Sequence, residues 1–132
     1  MAILIYGGTG PAGTAPQFLV MGSGASAGGS TLESIVTFRA TRSGTLGRVR
    51  GRIESNTTTG GFSLVNIRVN GVDVLTSAPI FGPQPALIVV NFTIPGSAPV
   101  VAGDKISVSV DPSAATGPVG SKIDIGLSLE LL

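Results

Sequence analysis

From Ser34 to Leu132 apolar residues alternate with polar ones at a period of two, and the runs are cut by Gly, Pro or Asn. A pleated strand points successive side chains to opposite faces, so a segment that buries only one face leaves this mark. In Lys122 to Leu131, Ile123, Ile125, Leu127, Leu129 and Leu131 face one way, while Lys122, Asp124, Gly126, Ser128 and Glu130 face the other. The same pattern predicts strands over Ser34–Ala40, Leu46–Glu54, Phe62–Val69, Val72–Thr76, Ala86–Ile94 and Lys105–Val110. Between Val69 and Val72, Asn70-Gly71 supplies the two positive φ angles of a type I′ turn, which makes Phe62 to Thr76 a hairpin. No window keeps a 3.6-residue period, because Gly or Pro interrupts every helical candidate. The fold class is therefore all-β, an antiparallel β-sandwich. No repeat of 20 to 50 residues points to a propeller or solenoid.

Ahead of these strands, Ala2 to Tyr6 reads as a short apolar strand, followed by GGTGPAGTAP, the apolar patch Gln17 to Met21, and GSGASAGGST. Gly, Ala, Ser, Thr and Pro dominate both connectors, so residues 1–31 are expected to be an extended N-terminal arm and residues 32–132 the sandwich domain. The apolar residues of the arm, Ile3, Leu4, Ile5, Tyr6, Phe18, Leu19, Val20 and Met21, are candidates for partner contact. At 132 residues the chain is large enough to bury one core without disulfides or metal.

Cysteine and histidine are absent. That removes disulfides, the thiol nucleophile, the usual zinc ligands and the commonest general base. A serine nucleophile could use only Lys105 or Lys122 as its base, and both open strands where solvent exposure is the default. Asp73, Asp104, Asp111 and Asp124 show no calcium-loop spacing or sign of convergence, and Asp104 after Gly103 suits a turn. The expectation is a protein that is not an enzyme and carries no cofactor or metal.

Gly8-Thr9-Gly10-Pro11-Ala12-Gly13 after an apolar strand fits G-x-G-x-x-G, with Glu33 at the spacing of a ribose-binding acid. Pro16 and the Gly-rich run Gly22 to Gly29 forbid the helix that a dinucleotide site needs, so the match reads as a glycine-rich linker. Arg48, Arg50 and Arg52 at i, i+2 and i+4 share one strand face. Such a ladder suits an acidic partner or an inter-subunit contact, but without interleaved aromatics it is a small footprint for nucleic acid. Pairing with Glu54, Asp124 or Glu130 is the alternative. Two Asn-x-Thr triplets, at Asn56 and Asn91, carry little weight without an export signal.

Charged residues are 11% of the chain, and mean hydropathy is +0.50. That is low polarity for a small monomer, which places some apolar surface between subunits. The net charge of +1 supplies no general field for nucleic acid or membranes. No run approaches the roughly 20 apolar residues of a membrane helix. The opening MAILIYGG lacks the basic region of a secretory signal and has too short an apolar stretch for one, so the protein is expected to be made and used without export through a signal peptide.

The segments SGTLGRVRGRIES, FSLVNIRVNGVDVL, VVAGDKISVSVDPS and IDIGLSLEL together resemble a domain of tailed-phage virion proteins and prophage-encoded homologues. That family is similar to the trimeric jelly rolls of tumour-necrosis-factor-like and complement globular-head domains. The resemblance spans about Ile35 to Leu132, and its markers, RVNGVDV and AGDKISV, report fold rather than role. It implies a jelly roll of about eight strands and a homotrimer mounted on a bacteriophage virion. The leading expectation is a capsid decoration (cement) protein that clamps the major capsid protein or another virion protein. The alternative is a receptor- or glycan-binding tip of a tail fibre, ranked second because the chain has no Trp and one Tyr for sugar stacking.

Overall fold

The computed structural model describes residues 2–22, 28–30, 32–33 and 36–132. Its strands are β1 (Ala2–Pro11), β2 (Gln17–Phe18), β3 (Val20–Met21), β4 (Phe38–Arg39), β5 (Gly44–Asn56), β6 (Leu64–Val69), β7 (Val72–Thr76), β8 (Val90–Ile94), β9 (Ala98–Val100), β10 (Lys105–Asp111) and β11 (Lys122–Leu131). Among the described residues there is no helix long and apolar enough to cross a membrane.

The strands form two antiparallel sheets. The larger runs β3-β1-β11-β5-β8, with β9 also on β5, and the smaller runs β2-β10-β6-β7, with β4 also on β10. Successive strands switch sheets except at β6-β7 and β8-β9. The alternating residues decide what lies between the sheets: Leu46, Val49, Ile53, Ile123, Ile125, Leu127, Leu129 and Leu131 from one, Val65, Ile67, Ile106, Val108 and Val110 from the other. Each fully buried aliphatic side chain contributes about 1.5–3 kcal/mol, so this double row is the main source of stability. The β6-β7 hairpin turns at Asn70 and Gly71, with φ of 52° and 80°, and pairs Val69 with Val72.

Four sequence expectations change in the structure. First, β1 does not stop at Tyr6. It continues through the glycine-rich stretch and pairs with β11 from Ala2↔Leu131 to Pro11↔Lys122. Gly10 lets β1 lie close against β10 there: a Cβ would meet Val110 Cγ1 at 3.0 Å. The supposed linker is thus strand over Gly7 to Pro11, and the segment expected as an arm contributes β1, β2 and β3 to the sheets.

Second, the strand expected over Ser34–Ala40 is reduced to β4; its first two residues lie outside the described residues, as does residue 31 at the expected boundary. Third, the strand expected over Ala86–Ile94 begins only at Val90. Pro83 and Pro85 impose a turn in which Ile88 N donates to Pro85 O at 3.3 Å, and Leu87 adopts φ of 64°. Fourth, β9 went unpredicted because it is short and contains Pro99, yet it pairs with the start of β5 and buries Ala98 and Val100.

Candidate functional site

No charged residue occurs between Asp73 and Asp104. This stretch forms the end of β7, the connection 77–89, and strands β8 and β9, so it builds the flank where both sheets end. Leu87 is fully exposed at 101% and Phe81 at 69%, with Ile88, Val89 and Val90 also exposed. Val72 and Val74 on β7 are exposed too. Leu87 is held in a left-handed conformation that costs a non-glycine residue about 1–2 kcal/mol.

Gln84 organises the connection. Its backbone N donates to Asn56 O at 2.8 Å, and its side-chain Nε2 donates to Ile53 O at 2.9 Å and to Ile88 O. Beside it opens a cavity of about 360 Å³ lined by Ile53, Ile80, Phe81, Pro83, Val90 and Phe92, with Ser77, Gln84 and Thr93 as polar members. Phe81 is fixed edge-on to Phe62, with ring centroids 6.4 Å apart. Phe92 lies over Gly51 of β5, where the ring finds room because no side chain projects.

The arginine ladder lies on the outer face of the larger sheet, all three residues exposed. Arg48 sits at a register shift between β5 and β11, with φ of 48°, and pairs with Glu130 at 3.5 Å. Arg52 pairs with Glu54 at 2.6 Å. Arg50 stands between Ser128 of β11 and Thr93 of β8 and has no ion pair among the described residues. The pairing with Glu54 and Glu130 weighed from sequence is present, while Asp124 turns to Lys122 and Thr9. Exposed pairs of this kind are worth about 0–1 kcal/mol, so the ladder is available to a partner at little cost.

The candidate contacts of the N-terminal segment divide by burial. Ile3 and Ile5 are exposed and share the outer face with the arginines, in the row Ile5–Ser128–Arg50–Thr93. Leu4, Tyr6 and Leu19 are buried in the core and are corrected to packing residues. The period-two rule of β1 sends Leu4 and Tyr6 inward once Ile3 and Ile5 point out. Val20 and Met21 form the edge strand β3, with Met21 exposed. Phe18 lies on the smaller sheet beneath the Arg68 guanidinium, 5.7 Å from its ring centre.

The remaining polar groups are used structurally. Arg68 pairs with Glu33 at 3.0 Å and with Asp73, and Ser107 Oγ donates to Glu33 at 2.6 Å. Burial pushes the Glu33 carboxyl up, but hydrogen bonds from Arg68 and Ser107 and the Arg68 charge outweigh it, holding the group below its ordinary range. Asp104 accepts from Val101 N and Asn70 Nδ2, both at 2.9 Å, closing the turn before β10. Asp111 accepts from Ser113 N at 3.1 Å. No group of three acids that could hold a metal occurs among the described residues. The G-x-G-x-x-G match lies in β1 and the turn after it.

The exposed apolar flank was missed from sequence, although the uncharged interval between Asp73 and Asp104 was a readable signal. No protein-family model matches the chain, and no curated protein matches it.

Proposed function

We propose that this chain is a structural protein of a tailed-phage virion, a jelly-roll decoration protein that trimerises and seats on the capsid shell. The observation that carries this reading is the uncharged flank. Phe81, Leu87, Ile88, Val89 and Val90 together expose roughly 500–600 Å² of apolar surface, at the upper end for a monomer and typical of an interaction site. Strands that switch sheets at nearly every step accord with the wrapping of a jelly roll. The resemblance of the β5, β6-β7, β10 and β11 sequences to phage virion domains supplies the setting.

In this reading the flank is covered by sister copies, and the face bearing Ile3, Ile5 and the arginine ladder meets the shell. Binding the assembled shell in preference to its free subunits stabilises the particle by linkage. The test uses Ile3→Lys and Ile5→Lys, which project from the face and leave the core intact. Occupancy on expanded capsids is expected to fall while the variants remain trimeric in sedimentation. Unchanged occupancy would remove this face from the mechanism, and binding to host cells instead of shells would favour the fibre-tip alternative.

A further inference from the structure

Two features of the flank are a projecting side chain and a hollow. Leu87 projects wholly into solvent, and the cavity of about 360 Å³ opens beside it. They are neighbours on the same surface, because Gln84 and Pro85 line both this cavity and the depression that Leu87 borders. We infer that Leu87 is an assembly knob that inserts into the Pro- and Phe-lined cavity of a second copy of this chain. The inference rests on the oligomeric reading above and names the contact that makes the oligomer.

The occupant follows from chemistry and area. The cavity is lined mainly by aliphatic, proline and aromatic side chains, with Ser77, Gln84 and Thr93 as its neutral polar members and no charged residue at its border, so it suits an aliphatic side chain with no charge to desolvate. Its volume is ample for leucine and lies within the range of small ligand sites, about 300–1,000 Å³. In a closed ring each copy is held by two contacts, one through its knob and one through its hole, which together bury roughly 1,000–1,200 Å², about the area a specific interface needs. Because knob and hole lie side by side rather than coinciding, a contact that seats the knob of one copy in the hole of the next repeats head to tail. Such a head-to-tail contact gives a ring where its rotation closes, which is the case the trimeric reading takes.

The backbone at Leu87 points the same way. A left-handed φ is tolerated by glycine and disfavoured by leucine. Keeping a large aliphatic residue there, fully exposed, works against the fold of a single copy. The side chain gains its contacts only when another surface covers it.

Leu87→Gly is the informative variant, because it removes the knob and relaxes the backbone without opening the core. In sedimentation velocity over a concentration series, the wild type is expected to associate and Leu87→Gly to associate about 10- to 100-fold more weakly. An associating wild type with an equally associating Leu87→Gly would overturn the knob and leave the oligomeric reading standing. A wild type that stays monomeric at every concentration would overturn both. If it stays monomeric and Leu87→Gly lowers shell occupancy, the cavity's partner is the shell protein, which also overturns the second-copy assignment.

A cross-link gives an independent readout, since the chain has no cysteine of its own. Leu87→Cys and Ala78→Cys are carried on separate chains and mixed, Ala78 being an exposed residue of the cavity lining. Oxidation is expected to give the mixed disulfide between the two variants as the main product. A main product joining two Leu87→Cys chains would place knob against knob and overturn the assignment.

Discussion

Gly51→Ala tests whether the cavity floor is held open by a missing side chain. Gly51 lies between Arg50 and Arg52 on β5, opposite Phe92 of β8. A Cβ built on it would lie 2.7 Å from Phe92 Cε2, with Cζ and Cε1 nearer still, whereas carbon atoms rest at about 3.5–4.0 Å. The ring must therefore retreat by at least about 1 Å, and overpacking of this size costs about 1–3 kcal/mol. Against this, alanine in a strand gains roughly 0.5–1 kcal/mol over glycine through the lower entropy of the unfolded chain. The net expectation is a loss of about 1–2 kcal/mol.

The sign should reverse once the ring is gone. In a Phe92→Ala background the same substitution meets no obstacle and should stabilise by about 0.5–1 kcal/mol, giving a coupling energy of about 2 kcal/mol between the two positions. Urea unfolding measures this directly. With a slope of about 1.5 kcal/mol per molar, Gly51→Ala shifts the midpoint down by roughly 1 M in the native background and up by roughly 0.5 M in the other. The cycle is best run on Leu87→Gly chains at one concentration, so that dissociation does not enter the transition. Equal effects of Gly51→Ala in both backgrounds would refute the assignment of Gly51 as the space for Phe92.

Tyr6, the only tyrosine, is buried with its hydroxyl donating to Ile106 O at 3.3 Å, and burial pushes its pKa well above the ordinary 10.0. The unfolded chain ionises first, so this contribution is whole below pH 10 and is lost as pH rises beyond it; absorbance at the tyrosinate band should stay flat past pH 10 until unfolding, and a normal titration of the folded protein would contradict the burial. Glu33 has the opposite sign. Its folded pKa is depressed, so its contribution is present above the ordinary value of 4.5 and is lost as pH falls through the lower folded value. Glu33→Gln should cost about 1 kcal/mol at neutral pH, with the difference from wild type shrinking toward pH 3 in acid-unfolding curves.

The parts of the fold legible in the sequence are those where alternation or turn chemistry acts locally. β11 alternates without interruption, and Asn70-Gly71 fixes the hairpin by its backbone preference alone, so both appear where expected. The same rule placed the three arginines on one outer face. β1 was hidden past Tyr6 because Gly7, Gly8 and Gly10 carry no apolar side chain for a period to register. The role of Gly10 is set by how closely β10 approaches, a tertiary fact visible only when it is seen against Val110.

The flank was hidden for a different reason. A run such as Ala86-Leu87-Ile88-Val89-Val90 reads as the continuous apolar stretch of a strand buried on both faces. Had β8 extended at its present register, in which Ile53 faces Val90, Val89 would lie opposite Glu54 and Ile88 opposite Ser55. The backbone and side chain of Gln84 occupy that margin of β5 instead, bonding Asn56 O and Ile53 O, and Leu87, Ile88 and Val89 are left exposed. A sequence that asks for burial and a chain that leaves it unmet conflict at one place, and such conflicts concentrate where a protein has work to do. In the proposed oligomer the conflict is relieved by a second copy, whose surface covers the residues that look misplaced in one.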